Sequence, residues 1–289
     1  MDRFVDLHTH STASDGTMTP SELVRHAKEV GLSALALTDH DTIDGIDEAL
    51  REGEKIEIEV IAGVEISADY AHTSEMHLLG YFLNGNHENM KSLLKKLKAS
   101  REERNPKMIK KLNELGFDIS LDEVKREAEG KVVGRPHIAS ALLKKGYIKN
   151  IGEAFEKYIA TGKPAYVKRE KLSPKEAIEE IIRCGGVPVL AHPIYLHIQL
   201  NELDDLLYQL KEYGLKGIEA YYSENTLYDT GNLLRLAIKH DLIPTGGSDF
   251  HGDLKPHIKL AKGRGNLHVP FESLEEIKEL ARERIRLHE

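Results

Sequence analysis

The chain has 289 residues, 30% of them charged, a formal net charge of −8 and a single cysteine, Cys184. The acidic balance argues against broad binding of duplex DNA through a basic face, and one cysteine excludes an intramolecular disulfide framework. No apolar run approaches membrane-spanning length and the first residues run straight into a strand, so a cytoplasmic protein without a membrane partner is expected.

Phe4-Val5-Asp6-Leu7 reads as a short buried strand that delivers His8 and His10 on one face, since residues two apart on a strand point the same way. Ser14-Asp15-Gly16 is a tight turn that swings the Asp15 carboxylate back toward them. Thr19-Pro20-Ser21-Glu22 starts a helix with a hydroxyl N-cap, proline in the first turn and an acid near the positive end, and Gly31 ends it. Ala34–Leu37 is a continuous apolar strand ending in Thr38-Asp39-His40-Asp41. A helix from Ile43 to Leu50, a strand from Ile58 to Val64 ending at Glu65, and a fourth strand from His77 to Phe82 follow. This rhythm of buried strands and helices predicts parallel pairing with helices on the outside, and chemistry at the carboxyl ends of the strands.

The pattern then changes. Met90, Leu93, Leu94 and Leu97, then Met108, Ile109, Leu112 and Leu115, recur at helical spacing, with Pro106 between them as a new helix start or a kink. Shorter helical patterns run over 121–128, 136–145 and 151–158. We read a first barrel part over 1–88, a helical lid over 89–167 placed across the mouth, and a second barrel part over 168–289. In that last part, strands Val187–Leu190, Gly217–Tyr221 and Leu242–Thr245 alternate with helices and lead to Ala191-His192-Pro193 and to Gly246-Gly247-Ser248-Asp249-Phe250-His251.

Nine donors therefore gather at strand ends: His8, His10, Asp15, His40, Glu65, His77, His192, Asp249 and His251. Their charges would repel unless cations neutralised them. Imidazole and carboxylate without thiolate suit manganese, iron or zinc, and nine donors exceed the need of one tetrahedral ion, so two or three divalent ions are expected. Glu65 and Asp249 are natural bridges, and Asp39 is a second carboxylate placed to orient a ligand. The histidines outside this set, His26, His72, His87, His240, His257, His268 and His288, read as solvated surface.

The succession His-x-His, Ser-Asp-Gly, Thr-Asp-His, Gly-Val-Glu, Ala-His-Pro and Ser-Asp-Phe-His resembles the polymerase-and-histidinol-phosphatase (PHP) family of metal-dependent phosphoesterases. Gly134-Arg135-Pro136-His137 and Gly162-Lys163-Pro164-Ala165-Tyr166-Val167 are similar to the branch holding 3′,5′-nucleotide bisphosphate phosphatases and 5′-to-3′ exoribonucleases. The resemblance implies an α/β fold, a distorted (β/α)7 barrel with a trinuclear metal site. It implies His8, His10, Glu65 and Asp249 on one metal, Asp15, His40 and His192 or His251 on a second, and Glu65, His77 and a remaining histidine on a third. It further implies catalytic roles for Asp249, His251 and His192, substrate contacts from Arg135, His137 and Lys163, and a nucleotide or short RNA as the phosphorylated partner. Arg101, Arg104 and Lys163 are weaker candidates for such contacts than Arg135 and read as solvated lid charges. One departure stands out: some relatives carry an arginine soon after Ala-His-Pro, where this chain has Ile194-Tyr195-Leu196. Histidinol-phosphate phosphatase and a non-catalytic metal-stabilised module are the alternative readings. The sequence leaves the oligomeric state open.

Overall fold

The computed structural model describes residues 3–70, 76–82, 86–128, 133–168 and 171–286. Its strands are β1 (Phe4–Thr9), β2 (Ala34–Leu37), β3 (Glu59–Ser67), β4 (His77–Phe82), β5 (Val187–Leu190), β6 (Gly217–Tyr222), β7 (Ile243–Gly247) and β8 (Val269–Pro270). They form one sheet in the order β7-β6-β5-β4-β3-β2-β1-β8. The sheet nearly closes on itself, because just past β7 the Asp249 N–H donates to the His8 carbonyl (2.9 Å) and the His10 N–H to the Phe250 carbonyl (3.0 Å). The two-residue β8 was not foreseen; it pairs antiparallel with the start of β1.

The expected parallel pairing holds for β1–β2, β2–β3, β5–β6 and β6–β7 and fails at β4, which runs antiparallel to both neighbours. The reason is length: only residues 68–76 join β3 to β4, too few for the helical crossover that a parallel pair needs. The reversal has a consequence for the site, since it places the head of β4, and with it His77, beside the tail of β3.

Helices α1 (Pro20–Glu29), α2 (Ile46–Ile56), α7 (Pro174–Arg183), α8 (Leu200–Glu212), α9 (Leu227–Lys239) and α10 (Phe271–Arg286) flank the sheet, and α3 (Lys91–Glu114), α4 (Leu121–Glu127), α5 (Arg135–Lys144) and α6 (Ile151–Ala154) follow β4. Capping boxes start α1 (Thr19 with Glu22), α4 (Ser120 with Glu123), α7 (Ser173 with Glu176) and α9 (Thr226 with Asp229), each contributing about 1 kcal/mol. On β2 the two faces divide the labour. Leu35 and Leu37 join the large cluster that includes Leu23, Ala49, Ile178 and Leu207 from the helices. The small Ala34 and Ala36 join the inner cluster of Val5, Ile61, Leu79, Val187 and Val189, to which α10 adds Leu274 and Ile277. A third cluster, with Met108, Leu112, Val124, Ile138 and Leu142, holds the helices after β4 together.

A single helix, α3, connects these bodies. Its 24 residues pass through Pro106 without a new start and span about 36 Å. Leu94 and Leu97 pack into the barrel-side cluster, and Met108, Ile109 and Leu112 into the third.

Closure at the β7–β1 seam requires Gly247, where an added Cβ would lie 2.4 Å from the His8 backbone nitrogen and 2.4 Å from its Cβ. Gly247→Ala is therefore expected to destabilise the chain by about 1–3 kcal/mol or more through overpacking. Gly231→Ala, on α9 with nothing within 4 Å of the new methyl, should gain about 0.5–1 kcal/mol from helix propensity. Urea unfolding of the two variants checks both signs, and equal midpoints would contradict the close seam.

Candidate metal centre

Strand β1 carries the first two donors by way of an irregularity. Val5 and Leu7 belong to the inner apolar cluster, yet His8 and His10 also turn inward to meet Glu65 of β3. The register of β1 on β2 slips between Asp6 and Thr9, and such a bulge puts two successive residues, Leu7 and His8, on one side. His40 follows β2, Glu65 lies near the end of β3, His192 follows β5, and Asp249 and His251 follow β7.

Glu65 stands at the centre, fully buried. Its Oε2 lies 3.3 Å from His8 Nε2, 3.2 Å from His10 Nε2 and 2.9 Å from His40 Nδ1. Its Oε1 lies 2.8 Å from His77 Nδ1 and 2.9 Å from His192 Nε2. Asp249 Oδ1 lies 3.1 Å from His10 Nε2 and 3.6 Å from His8 Nε2, and Asp15 Oδ1 is 3.4 Å from His251 Nε2. All nine donors foreseen from the sequence thus meet in four overlapping groups: His10, Asp15, His40 and His251; His8, His10 and Asp249; His8, Glu65 and His192; His40, Glu65 and His77.

These atoms fit divalent metal ions. His8 Nε2, His10 Nε2, His40 Nδ1 and Glu65 Oε2 are buried together and none makes a hydrogen bond, an arrangement costly for polar atoms and suited to lone pairs aimed at a shared cation. Burial pushes the His77 and His251 imidazoles down to about 4, so both are neutral at pH 7. For His10, burial opposes the proton, but Asp249 and Glu65 outweigh it and raise the group to about 9. A cation entering there displaces that proton.

Behind the donors lies a shell the sequence reading missed. Glu219 of β6 is fully buried and accepts from His8 Nδ1 (3.0 Å) and from the His192 N–H (2.6 Å). It fixes the His8 tautomer that turns Nε2 inward, the carboxylate–histidine pairing common behind metal ligands. Alternation along β6 was its only sequence signal. Asp249 Oδ2 accepts from Tyr222 Oη (2.9 Å) and Lys255 Nζ (2.6 Å). Burial works against the Lys255 ammonium, but Asp249 holds it well above its usual range. Asp39, foreseen as an orienter, accepts from the Ser11 N–H, the Ser11 hydroxyl and the Ser14 hydroxyl, and so ties down the turn that carries Asp15. His192 and Asp249 adopt positive φ, 24° and 55°, strain of about 1–3 kcal/mol each that these bonds hold in place.

A cavity of about 240 Å³ opens over the donors. Asp15, His40, Glu65, His77, His192, Asp249 and His251 line it together with Arg104, Arg135, Phe155 and Tyr166 and with Lys171, Tyr195 and Lys255. Arg104 is therefore no solvated lid charge; it is only 6% exposed. The Arg101 side chain lies outside the described residues. Of the other foreseen substrate contacts, Arg135 lines the cavity, stacked 5.5 Å over Phe155. His137 is buried and takes the Gly134 N–H on Nδ1 (3.0 Å), closing the first turn of α5. Lys163 is exposed, and neither His137 nor Lys163 lines the cavity. The Tyr222 hydroxyl is spent on Asp249.

A barrel mouth set with carboxylates and imidazoles, with Arg104, Arg135, Lys171 and Lys255 lining the same cavity, fits a hydrolase of phosphoric esters. The PHP domain model matches residues 6–183, and the chain belongs to that family. It is 39% identical over 251 residues to a 5′-3′ exoribonuclease of Haemophilus influenzae, covering 87% of this chain and 91% of that protein. It is 32% identical to a 3′,5′-nucleoside bisphosphate phosphatase of Chromobacterium violaceum, covering 86% of this chain and 87% of that one. The crystal structure of a protein from Bifidobacterium adolescentis matches with a TM-score of 0.84 at 33% identity over 95% of each chain. No helix among the described residues is long and apolar enough to cross a membrane.

Glu219→Gln keeps the size of the side chain but sets an NH2 group against one of its two donors. Metal affinity is expected to fall about 10- to 100-fold with the fold intact, read as manganese retained against a graded chelator. Unchanged retention would remove Glu219 from the site.

Proposed function

We propose that this chain removes the 3′-phosphate from nucleoside 3′,5′-bisphosphates and trims short RNA from the 5′ end. The observation that carries the reading is the cavity itself, which brings cationic Arg104, Arg135 and Lys171 and aromatic Phe155, Tyr166 and Tyr195 together with seven members of the donor cluster. A substrate with two phosphates and a base has a partner for each part there. The names of the exoribonuclease and bisphosphate phosphatase relatives support the same class.

In this reading the divalent ions are held by His8, His10, Asp15, His40, Glu65, His77, His192, Asp249 and His251, and when bound they polarise the phosphoryl oxygens and make water a nucleophile near neutral pH. The protein's own groups do the rest. Arg135 and Arg104 grip the second phosphate from the lid with the forked geometry that suits phosphate oxygens. Phe155 and Tyr166 offer flat surfaces to a base. Lys255 and Tyr222 keep Asp249 ionised and pointed at the cavity. His251 donates Nδ1–H to the Asp249 carbonyl (2.8 Å), which fixes its ring so that Nε2 faces Asp15 and the cavity. His192, Asp249 and His251 are the residues assigned to catalysis, the last two as guides for the proton. The Tyr195 hydroxyl bonds to Glu224 (2.6 Å), so in this chain the position after Ala-His-Pro supplies a ring instead of an arginine, and recognition of the second phosphate shifts to the lid.

Manganese-loaded protein should hydrolyse adenosine 3′,5′-bisphosphate to the 5′-monophosphate with kcat/KM orders of magnitude above that for histidinol phosphate. Arg135→Ala should lower the bisphosphate value about 10- to 100-fold, the worth of a charge-assisted hydrogen bond, and leave a chromogenic monoester nearly unaffected. Preference for histidinol phosphate would overturn the substrate assignment; tightly held metal without turnover of any ester would favour the non-catalytic module.

A further inference from the structure

Of the seven histidines read as solvated, His87 departs most from that description. It sits in the short 3-10 turn Asn86–Met90 that precedes α3, its side chain is 7% exposed, and neither ring nitrogen has a hydrogen-bond partner. Imidazole always carries at least one donor and one acceptor or two donors, so leaving both bare in the interior costs stability unless something else meets them. Two carboxylates do come near. Asp47 Oδ1, from the first turn of α2, lies 3.5 Å from His87 Nε2, and Glu88 Oε1 lies 4.0 Å from the same atom. One ligand atom from each of the three falls within 4.8 Å of the others.

We propose that Asp47, His87 and Glu88 form a second divalent-cation site of the zinc type, separate from the barrel mouth, at the junction of α2 with the turn that leads into α3. The distances match the chemistry. In a tetrahedral site with bonds of about 2.0–2.1 Å, neighbouring ligand atoms stand about 3.4 Å apart, close to the 3.5 Å between His87 and Asp47. The Glu88 oxygen has little further to come, and its carboxylate is exposed enough to adjust. One imidazole and two carboxylates leave a position for water. A competing cation is present: Lys91 Nζ bonds to Glu88 Oε2 at 2.9 Å, but this occupies the other oxygen and leaves Oε1 to the site. Asp47 and Glu88 are 41 residues apart in sequence, so a bound ion would staple barrel helix α2 to the base of α3. A simple His87–Asp47 ion pair is the competing account, and it predicts no metal.

The test counts metal in the full-length protein. Wild type, His87→Gln and Asp47→Asn are loaded with manganese, equilibrated against micromolar zinc, dialysed and measured for total metal per chain, with phosphoesterase rates recorded alongside. Wild type should hold one equivalent more than either variant, calorimetric zinc titration of the variants should lose that event, and their rates on a chromogenic ester should stay within twofold, since neither residue lines the cavity. Asp47→Asn keeps the test informative if His87→Gln disturbs the buried turn, because Asp47 is an exposed position on a helix. Equal metal totals and equal zinc isotherms in the three folded proteins would overturn the proposal, as would an extra equivalent that persists in Asp47→Asn.

Discussion

One carboxylate, that of Glu65, has five imidazoles within 2.8–3.3 Å of its two oxygens and no exposure to solvent. A charge so buried is costly unless opposite charge and directed bonds meet it. Burial alone would raise the Glu65 carboxyl, but His40, His77 and His8 hold it well below the ordinary carboxylate range. The barrel follows from the need to bring these groups together. Parallel strands deliver their tails to one end, the bulge in β1 turns His8 and His10 inward above the apolar interior, and the reversed β4 adds His77 from a strand head. Each of these features is expensive or irregular alone, and each is explained by what it contributes to the contacts of Glu65.

Much of this was legible in the residues. Most of the nine donors were found because they lie at or just past the ends of apolar runs of strand length, with Asp15 in the turn after the first and His77 at the head of the fourth, and a strand end is a place where a polar side chain faces a mouth instead of a core. The antiparallel β4 was missed because a six-residue apolar strand looks the same in either direction; only the short link over 68–76 encodes the reversal. Glu219 escaped because it lies inside a strand, where an acid reads as a face toward solvent unless the barrel interior is known to be polar at that level. Arg104 and His87 were read as solvated because the pattern of a charged helix does not say that another body packs on it. For His240 the same misreading was made: its ring is partly buried and meets Asp204 at 2.6 Å. His72 and His288 lie outside the described residues.

The buried acids that do not face the cavity make a second layer of the design. Asp6 accepts from the Ser248 and Ala261 N–H groups, Asp39 from Ser11 and Ser14, and Asp41 from the Ser67 N–H (3.0 Å). Asp6 and Asp41 each join a strand of the wall to a loop at the mouth, and Asp39 joins the loops after β1 and β2. Burial pushes the Asp6 carboxyl up to about 6 despite these bonds. These bonds hold the ligand-bearing loops in place, and the helices after β4, with their own apolar cluster, supply Arg104 and Arg135 to the cavity wall.

Crystals of manganese-loaded protein, measured above and below the manganese absorption edge, test the central claim most directly. The account predicts at least two anomalous peaks flanking Glu65, with His8, His10 and Asp249 at one and His77 or His40 at another. A fully active protein whose crystals show no peak, or a single peak remote from Glu65, would contradict it.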